Sequence, residues 1–210
     1  MPPSVLTRSS ARAWAGLRPC LGKPADKCGG YKARFPRILR IFVPVNCKGG
    51  LPMKTKILAD RAEMEAVIAR CPYCLVGLTD DEGAPYVIPM NFAYADGIIY
   101  LHSGPEGSKV RFAEQRPRVC ITFCEGHELV WMHAQMACSY SMKARSVMCR
   151  GSVRRLTDLA EKRRALDLMM RHYTDTPCGY SDPAVRHVLV WEVKVEEMTG
   201  KSFGLLPSEV

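Results

Sequence analysis

The stretch YLHSGPEGSKV, residues 100–110, combines the residue types that bind a phosphate group. Two hydroxyl side chains, Ser103 and Ser108, flank a glycine-rich loop, and Lys109 follows at the predicted start of a helix. Hydroxyls, backbone N–H groups exposed by glycine, a cation and a helix N-terminus are together the donors that a phosphate dianion requires. The spacing differs from that of a Walker loop. Taken alone, the stretch is equally compatible with a solvated hairpin end.

A second stretch, RCPYCLVGLTD at residues 70–80, contains Cys-Pro-Tyr-Cys, the tetrapeptide that glutaredoxins use for thiol–disulfide exchange. Such a site needs its first cysteine at the start of a helix, whose dipole lowers the pKa of the thiol. Here a helical pattern ends at Cys71 and a strand pattern follows from Cys74, so the order is reversed. We therefore expect two partly buried cysteines at a helix–strand corner, with thiol exchange or half of a zinc site as the alternatives.

The surrounding patterns predict a chain dominated by strands, with two or three helices inserted. Asp60 and Asp158, each followed three residues later by a glutamate, predict two helix starts. Asp96 and Gly97 predict a tight hairpin turn. Gly151, inside a long strand pattern, predicts a bulge or a close approach of backbones. Successive strands joined by tight turns pair antiparallel, which favours a barrel or sandwich over a doubly wound sheet.

The positive charge of the chain lies in its first quarter. The formal net charge is +9, and residues 1–52 contain ten Lys or Arg against one acidic residue, so they account for all of it. The balanced remainder gives no electrostatic argument for a nucleic-acid partner. No run approaches the roughly 20 apolar residues that span a bilayer. The ten cysteines lie scattered in apolar surroundings, which suits a reducing, cytoplasmic location.

Residues 1–52 show no periodic apolar pattern, and composition, charge and pattern all change at Met53. We expect residues 1–52 to be a disordered or non-native N-terminal extension, and residues 53–210 to form one domain. The alternatives are an organelle transit peptide, which the Arg-rich and acid-poor start resembles, and a basic arm for an acidic partner.

The stretch GAPYVIPMNFAYADGIIYLHSGPEGSKVRFAEQRPRVCITF resembles the FMN-binding split-barrel superfamily that includes the pyridoxamine 5'-phosphate oxidases. The later motif ACSYSM…SVMCRG is similar to the branch of Nim-type 5-nitroimidazole reductases. The resemblance runs from about residue 57 to residue 203. It implies a mainly β domain with inserted helices, built as a six-stranded antiparallel Greek-key split β-barrel. It also implies a homodimer that holds FMN in clefts at the dimer interface.

The resemblance further implies nine cofactor-binding residues and no metal ligands. Pro89, Met90 and Asn91 correspond to the strand under the flavin ring, and His102 and Ser103 to the strand end beside the ring and the ribityl phosphate. Ser108 and Lys109 correspond to the phosphate-binding pair. Ser146 and Val147 correspond to a strand that faces the cofactor from the same or the other subunit. His102 is also the best-placed candidate for a catalytic acid or base.

The expected function is that of an FMN-dependent oxidoreductase, similar to flavin reductases and nitroreductases, that reduces a small oxidised substrate. In pyridoxamine phosphate oxidases an Arg and a Lys flank the first flavin strand, and a C-terminal Trp-Arg motif binds the substrate phosphate. Here the strand reads YVIPMNF and the chain ends TGKSFGLLPSEV, which argues against vitamin B6 oxidation. The alternative is a non-catalytic barrel that holds flavin or haem, with His102 as an axial ligand.

Overall fold

The computed structural model describes residues 54–205, so the expectation for residues 1–52 lies outside the described residues. Within this range eight strands and four helices follow one another, with one 3₁₀ turn at Ala137–Ser139. They are β1 (Lys54–Leu58), α1 (Arg61–Arg70), β2 (Cys74–Thr79), β3 (Pro85–Met90), β4 (Phe92–Ala95), β5 (Ile98–Ser103), α2 (Ser108–Gln115), β6 (Arg118–Trp131), β7 (Tyr140–Leu156), α3 (Leu159–Tyr173), α4 (Asp182–His187) and β8 (Leu189–Leu205). None of these helices has the length and apolar character needed to cross a membrane.

The strands form a barrel that is closed by the chain itself. All strand pairs are antiparallel, and hydrogen bonds connect them in the order β3-β2-β6-β7-β8-β5-β4, with β1 added to β8. The two ends of this path, β3 and β4, are consecutive in the chain and separated by Asn91 alone. Counted as one strand bent at Asn91, β3 and β4 complete a ring of six. The predicted split-barrel class is therefore confirmed, with β1 as an additional strand.

Apolar residues pack on both sides of the curved sheet. The larger cluster fills the barrel and includes Phe92, Phe123 and Trp191, each at most 1% exposed. The smaller cluster lies on the opposite side of β4, β5 and β8, where α3 and α4 contribute Leu166 and Val185 among others. α3 and α4 thus cover one outer side of the barrel, and Trp191 is a core residue.

The structure contains the helix caps, the tight turn and the close backbone approach that the sequence predicts. Asp60 and Asp158 are the N-caps of α1 and α3, and their side chains accept N–H groups two and three residues further on, at 3.1 and 2.9 Å. Asp96 and Gly97 have φ angles of 50° and 79°, which produce the tight turn between β4 and β5. Gly151 lies where β7 approaches β8 so closely that a Cβ would overlap the carbonyl oxygen of Lys194.

The sequence pattern predicts a strand over residues 118–124 and an irregular stretch around His127 and His133, but β6 and β7 extend into this stretch. A register shift between Gly126 and Glu128 interrupts the β6–β7 ladder, and His127 has a positive φ of 66°. The ladder continues beyond this bulge to the pair Trp131 and Tyr140. Instead of an irregular stretch, the structure has a protruding hairpin, residues 128–144, which we call the arm.

One outer face of the sheet is strongly apolar. Of the ten exposed large hydrophobic side chains in residues 54–205, eight lie on the outer side of β3, β2, β6 and β7 or just before β2. Cross-strand partners connect Pro89, Leu75, Thr122 and Met148 in one row of this face. The eight residues, which we call the outer apolar face, are Tyr73, Leu75, Val87, Leu129, Trp131, Tyr140, Met142 and Met148.

Candidate functional site

A cleft of about 370 Å³ opens where the barrel is split, between β3 on one side and the end of β5 with the start of α2 on the other. Among the described strands β3 pairs only with β2, so its second edge carries backbone groups without a strand partner. Pro85 and Pro89 are tolerated in β3 because an edge strand does not need an N–H donor at every position. The cleft is lined by Tyr86, Ile88, Pro89, Met90, Asn91, His102, Ser103 and Lys109.

Six of the nine predicted cofactor-binding residues meet in this cleft. Pro89, Met90 and Asn91 form the β3 wall, and His102, Ser103 and Lys109 form the opposite wall. The register of β4 and β5 pairs Phe92 with Leu101, so Asn91 and His102 face each other just beyond the end of that ladder. The split of the barrel therefore brings two separate sequence motifs together.

His102 presents a polar atom that lacks a partner. Its Nδ1 is buried and has no hydrogen-bond partner within residues 54–205. Burial lowers the pKa of His102 below its ordinary value, so the imidazole is neutral at neutral pH. A buried polar atom without a partner costs about 1–3 kcal/mol. His102 also lines the cleft.

The start of α2 is open to solvent and could hold an anion. Its N-cap, Gly107, has a φ of 117° and no side chain that could cap the first N–H groups of the helix. A Cβ on Gly104 or Gly107 would meet no atom within 4 Å, so the loop faces open space. Lys109 has no ion-pair partner in the described part of the chain. Ser108 is exposed beside it, and the Ser103 hydroxyl donates to the Gly104 carbonyl oxygen at 2.7 Å.

The remaining two predicted residues lie away from the cleft. Val147 is fully buried in the barrel core, so its side chain contacts no ligand in the cleft. Ser146 is half-buried on β7, beside Cys124 of β6 and Lys201 of β8, and β7 is three strands away from β3. Within one chain, therefore, the structure does not bring Ser146 and Val147 together with the other seven.

The Cys-Pro-Tyr-Cys stretch forms the predicted helix–strand corner. Cys71 is the C-cap of α1 and Cys74 begins β2. The Cys71 thiol donates to the Val67 carbonyl oxygen at 3.3 Å, and the Cys74 thiol donates to that of Met90 at 3.4 Å. Burial raises the pKa of Cys71 to about 11 and that of Cys74 to about 12. Both thiols are protonated at neutral pH, which is unsuited to thiol exchange.

Sequence reasoning missed three residues at or behind the cleft. Tyr86 and Ile88 line it, and the alternation of β3 could have identified them, because positions 86, 88 and 90 share one side of the strand. Tyr173, at the end of α3, accepts the backbone N–H of Phe92 at 3.0 Å. The two residues are 81 positions apart, so no local pattern reports this contact.

Comparison with known proteins reveals clear relatives. The profile of the pyridoxamine 5'-phosphate oxidase family matches residues 60–202, more than half of the chain. The crystal structure of a candidate 5-nitroimidazole antibiotic resistance protein from Bacteroides thetaiotaomicron is 52% identical with a TM-score of 0.68, covering 74% of this chain and 91% of that chain. These two matches confirm the resemblance inferred from the motifs.

Two more distant structures share the fold. Flavocytochrome Anf3 from Azotobacter vinelandii is 21% identical with a TM-score of 0.62, covering 70% of this chain and 68% of that chain. The FAD and haem binding protein from Mycobacterium smegmatis is 16% identical with a TM-score of 0.65, covering 74% and 77%. No curated protein sequence matches the chain.

Proposed function

The chain belongs to the pyridoxamine 5'-phosphate oxidase family, and from that premise we propose that it binds FMN in the cleft and acts as an oxidoreductase on a small oxidised substrate. One observation carries this proposal. Within residues 54–205, the cleft holds a lysine without an ion-pair partner at an uncapped helix N-terminus and a buried histidine nitrogen without a hydrogen-bond partner. FMN combines a phosphate, which suits the first feature, with a polar-edged ring, which suits the second.

In this proposal the two ends of the cleft bind different parts of FMN. At the phosphate end, Lys109 and the first N–H groups of α2 hold the dianion. At the ring end, the free edge of β3 offers backbone groups, and the neutral His102 can donate or accept one proton. The FMN, when bound, supplies the electron-transfer chemistry. The chain supplies binding, orientation and the proton at His102.

The substrate class is proposed from the most informative relative. The protein from Bacteroides thetaiotaomicron is named for resistance to 5-nitroimidazole antibiotics, and it is 52% identical over 91% of its length. Reduction of the nitro group of a 5-nitroimidazole is therefore the activity that we propose. The difference from true pyridoxamine phosphate oxidases in the YVIPMNF strand favours this substrate over vitamin B6.

We also propose that the protein is a homodimer formed through the outer apolar face. Soluble monomers rarely expose a contiguous apolar patch of several side chains. The row from Met148 through Leu75 ends at Pro89, so this face reaches the wall of the cleft. All seven cysteines within residues 54–205 are free, which suits the cytoplasmic location that we propose.

The absorbance spectrum of the purified protein tests the cofactor directly. We expect flavin bands, release of FMN on denaturation, and reduction of a 5-nitroimidazole when a chemical or nicotinamide donor is added. A Soret band in place of flavin bands would support the haem-binding alternative. A colourless protein that also fails to bind added FMN would overturn the proposal.

Replacement of Lys109 by alanine should isolate the phosphate contact. Loss of a charge-assisted hydrogen bond costs about 1.5–3 kcal/mol, or roughly ten- to a hundredfold in affinity for FMN. Riboflavin lacks the phosphate, so its affinity should stay unchanged. Fluorescence titration of both ligands into both proteins gives the four dissociation constants. Lys194→Ala, at an exposed position on β8 outside the cleft, is the control and should change neither constant. Equal losses for both flavins would show that Lys109 supports the fold and not the phosphate.

A further inference from the structure

We propose that Tyr173 is a positioning residue for the cleft. Its hydroxyl fixes the junction between β3 and β4, and this sets the distance between that junction and β5, where a flavin ring would bind. The inference rests on the proposed function for its ligand. The tie itself, the hydrogen bond between the Phe92 N–H and the Tyr173 hydroxyl, is observed in the protein alone.

The junction needs a partner from outside the sheet because strand pairing changes there. β3 pairs with β2 as far as Met90, and β4 pairs with β5 from Phe92 onward, so Asn91 belongs to neither ladder. Phe92 is fully buried, and a buried backbone N–H must find a protein acceptor. The Tyr173 hydroxyl oxygen accepts that N–H at 3.0 Å.

The end of α3 holds the junction in two ways. Besides the hydrogen bond from Tyr173, the ring of His172 packs on the ring of Phe92 with centroids 4.6 Å apart. His172 Nε2 lies 3.0 Å from the carbonyl oxygen of Cys71, so the same helix end also contacts the end of α1. The Tyr173 ring meets the His172 ring edge-on at 4.7 Å. Two neighbouring residues of α3 thus locate the backbone at Phe92.

The position of Phe92 decides the width of the cleft at its ring end. Met90 and Asn91 line the cleft and directly precede Phe92, and the β4–β5 register places Asn91 opposite His102. A shift of Phe92 therefore moves the β3 wall relative to His102. Lys109 belongs to α2, which the tie does not contact, so the phosphate end of the cleft does not depend on it.

Replacement of Tyr173 by phenylalanine removes the hydroxyl and keeps the ring. We expect the affinities for FMN and for riboflavin to fall together, by about five- to tenfold, because both ligands use the ring end. The ratio of the two constants should stay at the wild-type value, whereas Lys109→Ala changes it. Tyr180→Phe is the matched control. The hydroxyl of Tyr180 is buried without a partner in the described residues, so its removal should leave both constants unchanged.

Hydrogen exchange in the cofactor-free protein tests the tie independently of any flavin. By NMR, the Phe92 amide should exchange at least about tenfold faster in Tyr173→Phe, and at the wild-type rate in Tyr180→Phe. Unchanged exchange at Phe92 would overturn the tie. Faster exchange with unchanged flavin constants would overturn the positioning role and leave the proposed function standing. A wild-type protein that binds neither flavin would overturn the proposed function and the positioning role together.

Discussion

Burial determines which ionisable side chains of this protein can take part in chemistry. It lowers the pKa of His102, which keeps a neutral imidazole in the cleft at physiological pH. It raises the pKa values of Cys71 to about 11 and of Cys74 and Cys149 to about 12, which keeps those thiols protonated. The same physical effect therefore prepares one residue type for proton exchange and makes another inert.

Thiol labelling should separate the buried from the exposed cysteines. With a maleimide at pH 7.5 and mass-spectrometric readout for each residue, we expect fast modification of the exposed Cys138 and Cys178. The buried thiols, Cys71, Cys74 and Cys149, should react only after the addition of denaturant. Fast labelling of Cys71 in the folded protein would contradict its burial and reopen the thiol-exchange hypothesis.

The raised thiol pKa values also predict how stability depends on pH. The folded protein holds these protons more tightly than the unfolded chain does. The contribution of the thiols to the free energy of unfolding is therefore constant below about pH 9 and falls as the pH rises towards 11–12. Each thiol should add up to about 1.4 kcal/mol per pH unit to the decline. Urea unfolding between pH 8 and 10.5 should show a shallower decline for Cys74→Ala than for wild type. Cys178→Ala, at an exposed position, should not change the slope.

At the scale of helices and strands, the elements predicted from sequence are those with local signals. The caps at Asp60 and Asp158 and the Asp96–Gly97 turn depend on contacts within four residues, and all are present. β1 was missed because KTKIL becomes a strand only by pairing with β8, more than a hundred residues away. The arm was missed because the bulge with its positive φ at His127 interrupts the alternation of β6.

Among the residues of the candidate site, too, those with a local sequence signal could be predicted and the others could not. The loop at the start of α2, which we propose binds phosphate, could be identified from sequence because glycine, serine and lysine lie side by side in it. Pro89, Met90 and Asn91 of the β3 wall came from the family resemblance. Tyr173 could not be predicted, because its role depends on where α3 ends in space. Ser146 and Val147 stay predictions, and their distance from the cleft within one chain makes a second copy necessary for any contact.

The close approach of β7 and β8 at Gly151 gives a prediction at this scale. Gly151→Ala should destabilise the fold by about 1–3 kcal/mol, because the added Cβ overlaps the Lys194 carbonyl oxygen and the two strands must separate. Urea unfolding measures the change. Gly179→Ala is the control, since a Cβ there meets no atom within 4 Å, and it should leave the midpoint unchanged. A neutral Gly151→Ala variant would show that β8 can move away from β7 at this position without cost.

At the scale of the whole molecule, the outer apolar face and the arm favour association with a second copy. The arm carries Trp131 and Tyr140 as a stacked pair with centroids 5.5 Å apart, and both side chains are exposed. Rigid aromatic pairs of this kind commonly anchor protein interfaces. The proposed dimer would cover them.

A charge placed on the arm should therefore weaken the dimer. We expect Trp131→Lys to shift the protein from dimer to monomer by at least about tenfold in dissociation constant, because a lysine must be desolvated in an apolar interface. Sedimentation velocity at several concentrations measures the shift. Thr176→Lys adds the same charge at an exposed position after α3 and should leave the dimer intact. A wild-type protein that sediments as a monomer at every concentration would remove the interface.

The closure of the barrel through Asn91 has a kinetic consequence. Because the ring is completed by a peptide segment and not by a strand ladder, the two walls of the cleft can separate at Asn91 once the Tyr173–Phe92 hydrogen bond opens, while every strand ladder stays intact. Entry and release of a ligand then do not have to wait for the barrier that governs global unfolding. A very stable barrel and a rapidly exchanging ligand are compatible in this architecture.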